Sequence, residues 1–228
     1  MKTQWHMSEK DFFSGLPQEK EAFIFLSQKQ VGKKNDIIFH EEDNSSFCYY
    51  LENGFIKIFC NTTLGKEPTF FIRKTGEMLG LADLLNGQVR KCSARAITSF
   101  TLYAMNKKTF DDFLVENSVV ARRVMEVLGA RLRYLGEQVH NLMVCDVTTR
   151  MIKLLLYMGH DELLNSYSQD KPITFKMDLT QEQIASLTGT CQQTVSETMK
   201  KLQESRLIDI SNKNITIINP LEMLESVS

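Results

Sequence analysis

The sequence predicts an α+β chain of three successive parts: an N-terminal antiparallel β jelly roll, a long helix and a C-terminal winged helix-turn-helix. Three observations carry this reading. Short runs of β-branched and aromatic residues alternate with polar breaks from about Asp36 to Met105, an apolar stripe repeats every seven residues over Ala121–Leu142, and Leu179–Ile208 reads as two short helices about a glycine turn followed by a hairpin. The expected domains are 1–107 for the β roll, 108–144 for a dimerisation helix and 145–228 for a DNA-binding unit.

Composition sets the outer limits. A chain of 228 residues, 43% apolar and 24% charged, has room for two globular domains. Its formal net charge is −1, and from Asp146 onward eight Lys or Arg face eleven Asp or Glu, a net of −3. A DNA-binding half of that sign has weak non-specific phosphate affinity and depends on focused contacts. Cys48, Cys60, Cys92, Cys145 and Cys191 are scattered, without a C-x-x-C pair, so neither a zinc site nor an iron–sulfur cluster is indicated. Reduced thiols, the lack of a signal-peptide pattern and the lack of a membrane-length apolar run point to a cytoplasmic protein.

The expected jelly roll follows a helical stretch at Gln18–Gln28. Its strands are Asp36–His40, Phe47–Leu51, Gly54–Cys60, Thr69–Arg73 and one long strand over Ala94–Met105. The breaks include Glu41–Asn44, Glu52–Gly54, Thr62–Lys66 and Lys74–Gly76. Between strands, Gly76–Gly87 reads as a helical cassette whose backbone amides suit a pocket wall. Met78, Phe70 and Phe71 read as core.

A long helix is expected from about Lys108 to Met143, with a polar break at Asn117. Ala121, Leu128, Leu135 and Leu142 form one heptad series and Met125, Leu132 and Val139 the other. A helix packed on its own β domain also explains an apolar stripe. The narrowness of this one, flanked by Arg122, Arg123, Arg131, Arg133 and Glu137, favours a parallel homodimer. Asp146 is placed to cap a following helix across a hinge at Cys145–Arg150.

In the C-terminal part, Thr180 and Gln183 form a capping box, so a helix begins near Gln181. Ile184, Ala185 and Leu187 face inward, and Gly189 supplies the turn. A second helix from Gln192 buries Val195, Met199 and Leu202 and exposes Gln192, Gln193, Ser196, Glu197 and Lys200, an amide-rich face suited to base edges in a major groove. Leu207–Ile210 and Ile215–Ile218 about Ser211–Asn214 then form a β-hairpin wing, which an ordinary pair of amphipathic helices would not carry.

This order, with Asp36–Phe39, Tyr50–Ile58, Gly76-Glu77, Asp146–Arg150, Gly189–Val195 and Leu207-Ile208, resembles the Crp/Fnr family, that of the bacterial cyclic-AMP receptor protein. The resemblance covers essentially the whole chain. It implies a homodimeric transcription regulator with a cyclic-nucleotide-binding-like roll, an effector that repositions two recognition helices on a near-palindromic DNA operator, and RNA polymerase as a further partner. By family position the effector pocket comprises Gly80, Leu81, Arg90, Lys91, Leu135 and Gly136. Cyclic-AMP readers have Gly-Glu, Arg-Ser and a Thr-Ser pair at these three places. Only the glycine and arginine remain here, so a buried ribose and purine would leave polar groups unpaired at roughly 1–3 kcal/mol each. Cyclic AMP is disfavoured as effector, whereas Arg90 and Lys91 suit an anion.

The family recognition run Ser-Arg-Glu-Thr-Val-Ser-Arg is here Cys191-Gln192-Gln193-Thr194-Val195-Ser196-Glu197. Glutamine bonds adenine N6 and N7, so Gln192 and Gln193 should read a more A·T-rich step, with Glu197 rejecting wrong sites. Cys191 is a poor cap, and Thr190 with Gln193 is expected to replace it. Thr148, Thr180, Gln181 and Thr194 are phosphate-side candidates by family position, with Lys200 and Lys201 as added charge.

Other classes fit less well. Among His6, His40, His140 and His160, only His140, beside Val139, suggests haem ligation. Thiol redox through Cys48, Cys60 or Cys92 has an electropositive neighbour only in Arg90-Lys91 beside Cys92. No clustered metal ligands and no nucleophile–base pair point to an enzyme. A constitutive DNA binder with no effector remains the alternative.

Overall fold

The computed structural model describes residues 11–62, 67–159, 171–177, 179–212 and 214–227. His6, His160, Lys213 and most of the Thr62–Lys66 break therefore lie outside the described residues. The chain divides into two compact units, one ending at Arg133 and the other beginning at Tyr134.

In the first unit, α1 (Pro17–Leu26) is followed by β1 (Gln28–Gly32), β2 (Ile37–Phe39), β3 (Phe47–Asn53), β4 (Phe55–Phe59), β5 (Thr69–Lys74), β6 (Met78–Leu79), α2 (Leu81–Asn86), β7 (Ser93–Ala96) and β8 (Phe100–Asn106). Two four-stranded antiparallel sheets result, ordered β1-β8-β3-β6 and β2-β7-β4-β5. Leu51, Ile56, Ala94, Ala96, Leu102 and Ala104 pack in the core of this sandwich. At the β3–β4 turn Gly54 has φ +109°, and a Cβ there would meet the Ser99 carbonyl at 2.6 Å, so both torsion and space require glycine.

Three local expectations are corrected. The strand expected over Ala94–Met105 is two strands, because Ile97–Ser99 turns from one sheet to the other. The N-terminal helix stops at Leu26, since Gln28–Gly32 pairs with Phe100–Ala104 of β8. The Gly76–Gly87 cassette begins with β6, paired to Tyr49 and Tyr50, and only Leu81–Asn86 is helical.

The long helical stretch divides at Asn117, the position of the expected polar break. It is two helices, α3 (Lys107–Glu116) and α4 (Ser118–Val144). Asn106 caps α3 by accepting from the Thr109 N–H, and the Asn117 side chain donates to the Phe113 carbonyl, ending it. Phe110 and Phe113 of α3 and Val120, Val124 and Val127 of α4 are buried with Phe23, Tyr50 and Met105 of the sandwich. Arg123 donates to the Phe12 and Ser14 carbonyls and Arg131 to the Met78 carbonyl, so two of the arginines beside the stripe tie the N-terminal part of α4 to the first unit.

The second unit holds the C-terminal part of α4, then α5 (Val147–Met158), β9 (Ile173–Lys176), α6 (Gln181–Thr188), α7 (Gln192–Glu204), β10 (Ile208–Ser211), β11 (Asn214–Ile217) and α8 (Pro220–Glu225). Asp146 caps α5 by accepting from the Thr149 N–H at 2.7 Å. The wing is three-stranded in the order β10-β11-β9, with Thr216 opposite both Asp209 and Thr174. Met151, Leu155, Ile173, Ile184, Val195, Leu202, Ile215 and Ile217 share its core.

Candidate nucleic-acid interface and effector cassette

The helix-turn-helix is built by local hydrogen bonding. Thr180 Oγ1 accepts from the Gln183 N–H at 3.2 Å while Gln183 Oε1 accepts from the Thr180 N–H at 2.8 Å, completing the capping box. Gly189 closes α6 at φ +63°, and its Cα faces Leu142, so an added Cβ would lie 2.7 Å from Leu142 Cδ2. Arg150 joins the turn to the hinge: its Nε donates to the Thr188 carbonyl at 2.7 Å and its Nη1 to the Cys145 carbonyl at 2.6 Å. Arg150 has no place among the sequence-derived candidates, because the carbonyls it serves are distant or locally unremarkable in sequence.

On α7, Val195, Thr198, Met199 and Leu202 are buried, and Gln192, Gln193, Ser196, Glu197 and Lys200 are exposed. Gln193 Nε2 donates to Glu197 Oε1 at 3.0 Å, and Gln192 Nε2 reaches Gln181 Oε1 at 3.5 Å. One N–H and the carbonyl oxygen of Gln193 stay available, the pair an adenine N7/N6 edge requires. Thr180, Gln181, Lys200 and Lys201 are exposed, Thr148 and Thr194 half-buried, and Lys200 lies 3.7 Å from Glu204.

The expected capping of α7 by Thr190 does not occur. Cys191 is the N-cap residue and makes no side-chain cap bond; its thiol lies 3.1 Å from Thr194 Oγ1. Helix geometry places the residue immediately before Gln192 at the cap, whatever its side chain. Hydrogen bonds from the Thr194 side chain and then its backbone hold the Cys191 thiol below the ordinary thiol pKa.

The cassette residues divide between the two units. Gly80 precedes α2 at φ +76°, where a Cβ would lie 2.9 Å from Arg90 Nη1. Arg90 is 1% exposed: Nη1 donates to the Gly80 carbonyl at 2.8 Å, Nη2 to the Phe47 carbonyl, and the guanidinium carbon lies 4.3 Å from the Phe39 ring centroid. Burial lowers its pKa, opposed by Tyr49 and then by Asp83. Leu81 is buried and Lys91 exposed. Leu135, Gly136 and His140 are exposed on α4, in the second unit. Along the stripe Ala121 and Leu128 are half-buried, whereas Met125, Leu132, Leu135, Val139 and Leu142 are 42–71% exposed.

Comparison with known proteins matches both halves of this architecture. The cyclic nucleotide-binding domain model matches residues 29–117, and the Crp-like helix-turn-helix domain model matches residues 149–226. The chain belongs to the Crp/Fnr family. Among its relatives is the cAMP-activated global transcriptional regulator CRP of Salmonella typhimurium, 24% identical over 196 residues, 85% of this chain and 91% of the relative. The global nitrogen regulator of Synechococcus elongatus is 27% identical over 205 residues, 89% and 90% of the two chains. The structure of a CooA mutant from Carboxydothermus hydrogenoformans has the same fold, with a TM-score of 0.79 at 20% identity over 99% of both chains. This Crp/Fnr member is thus a transcription regulator with a cyclic-nucleotide-binding-type roll and a DNA-binding helix-turn-helix. Among the described residues no helix is long and apolar enough to cross a membrane.

Proposed function

We propose that this Crp/Fnr regulator acts as a homodimer whose sandwich senses a small effector other than cyclic AMP and repositions two copies of α7 on a near-palindromic operator. The observation that carries the DNA reading is α7 itself. One face is buried to Leu202, and the other offers Gln192, Gln193, Ser196 and Glu197 to solvent. The Gln193–Glu197 bond orients the Gln193 amide, so Glu197 acts as a positioning group as well as a filter against wrong sites. Thr148, Thr180, Gln181, Thr194, Lys200 and Lys201 flank this face as phosphate contacts, and RNA polymerase is a further partner by family analogy.

The exposed apolar series from Met125 to Leu142 supports the dimer, since Val120, Val124 and Val127 already supply the face that packs on the sandwich. Against cyclic AMP stand Leu81, Leu135 and Gly136, which offer no side-chain hydrogen bonds to a ribose or purine. A second reading, a constitutive DNA binder, is favoured by Arg90, whose guanidinium is held by two internal carbonyls.

Selection of bound duplexes from a random pool tests the base-reading assignment. The wild type should enrich half-sites richer in A·T than the arginine-bearing family run would select, and Gln193→Ala should relax the preference at one position, with a discrimination loss of about 1–3 kcal/mol. An unchanged half-site in the variant would refute it. Operator affinity of the ligand-free protein that no metabolite fraction alters would support the constitutive reading.

A further inference from the structure

Sequence spacing gives Cys60 and Cys92 no relation, but the sheet makes them neighbours. Cys60 is one residue past β4 and Cys92 one residue before β7, and the adjoining ladder pair is Phe59 opposite Ser93. The next step along the ladder therefore sets the two cysteines opposite each other. Their sulfurs lie 3.2 Å apart, both residues are half-buried, and the Cys60 thiol also donates to the Lys91 carbonyl at 3.1 Å. Directly opposite residues of an antiparallel pair have Cα separations of about 4.5–5.5 Å, inside the roughly 4.4–6.8 Å window of disulfides. Closing from 3.2 Å to a bond of about 2.05 Å needs only about 1.2 Å of sulfur movement, within reach of side-chain rotation.

We infer that Cys60 and Cys92 form a redox-active dithiol that hydroperoxides convert to an intramolecular disulfide. This does not rest on the DNA-reading assignment. The Cys60 thiolate attacks one peroxide oxygen: an S–O bond forms, the O–O bond breaks, and the departing hydroxide or alkoxide takes a proton. The Cys92 sulfur then attacks Cys60 Sγ. The S–S bond forms, the S–O bond breaks, and hydroxide leaves with the Cys92 proton as water. Two thiols thus give two electrons to one peroxide, which ends as two water molecules, or as one water and one alcohol. Desolvation and then the Cys60 contact raise the Cys92 pKa to about 12. The step balances in the same way with the two sulfurs exchanged, because the 3.2 Å separation lets either resolve the other's sulfenic acid.

The remaining cysteines provide contrast. Cys48 is buried, its thiol directed at the Met105 carbonyl, and burial raises its pKa. Cys145 and Cys191 belong to the other unit. The disulfide would clamp the end of β4 to the turn that carries Arg90, whose N–H bonds the Asp43 carbonyl and whose carbonyl accepts from Glu42. A covalent bond there stiffens the loop between the cassette and the sheet.

The test uses the reduced full-length protein, treated with hydrogen peroxide and then alkylated. Intact mass should show two fewer alkylated thiols and a loss of about 2 Da from the remainder. A non-reducing peptide map should contain a Cys60–Cys92 linked pair that dithiothreitol releases. Cys60→Ser and Cys92→Ser should each abolish that species, and Cys191→Ser should retain it. Five alkylated thiols after peroxide, oxygen adducts without the linked pair, or cross-linking only between copies through Cys191 would each overturn the inference. The wild-type map decides it even where a serine variant folds poorly.

Discussion

Cys191 illustrates how a single residue acquires chemistry from its position. It occupies the N-cap of α7, is fully exposed, and its pKa is lowered by the Thr194 hydroxyl and backbone. Because its thiolate forms at a lower pH than that of a free thiol, the alkylation rate should reach half its maximum at a lower pH and fall as pH drops through that value. The expected outcome is that iodoacetamide modifies Cys191 before the buried Cys48 and abolishes operator retention, while Cys191→Ser binds DNA and resists the reagent. Time-resolved peptide mass spectrometry with a parallel gel-shift assay checks both. Gln193 and Glu197 show the same dependence on position. Their residue types suggest two separate base contacts, whereas one helical turn joins them into a single oriented amide.

Among elements, α4 carries the clearest expectation. Its inward face is Val120, Val124 and Val127, and its exposed stripe continues through Leu132, 71% exposed, to Leu142. For the proposed homodimer, Leu132→Asp should leave the sandwich folded but place a charge in the apolar seam, so that analytical ultracentrifugation gives monomers for the variant and dimers for the wild type at one concentration. Periodicity made this stripe visible and left two readings open, a partner helix or the chain's own domain. Three valines that the heptad series omits pack on the sandwich core together with Leu128 of that series, while Met125, Leu132, Leu135, Val139 and Leu142 stay exposed. The sheet carrying β4 and β7 makes a pH prediction. Burial raises the pKa of Glu67, but hydrogen bonds from Arg95 and Lys57 outweigh it, and the net shift is downward. The stabilisation is therefore full above the unfolded glutamate pKa and is lost as pH falls through the folded value. Thermal melting of the wild type should drop on acidification below about pH 4.5 more steeply than that of Glu67→Gln.

At the scale of the molecule, charge governs DNA affinity. The region from Asp146 onward has a net charge of −3, and its phosphate-side candidates are neutral except Lys200 and Lys201. Two cations per protomer, four in the proposed dimer, give an expected slope of log K against log salt near about −3.6, from about −0.9 per neutralised phosphate. Affinity measured by fluorescence anisotropy over a salt series checks this, and Lys201→Ala should reduce the slope by roughly 2 in the dimer.

What the sequence by itself determined is local or periodic. The Thr180–Gln183 box, the Gly189 turn, the two amphipathic helices and the hairpin over Leu207–Ile218 are each encoded within a few neighbouring residues. The helix stripe is legible because 3.5-residue spacing repeats. Tertiary structure decided whatever depends on distant partners. β9 is a wing strand because Thr174 meets Thr216, Arg90 is an internal brace because Phe47 and Gly80 turn their carbonyls to it, and Cys60 meets Cys92 because β4 pairs with β7. No short window of sequence contains both members of these contacts. The physical reason is that sheet register and side-chain burial are set by the packing of the whole sandwich, which brings together residues that spacing along the chain leaves unrelated.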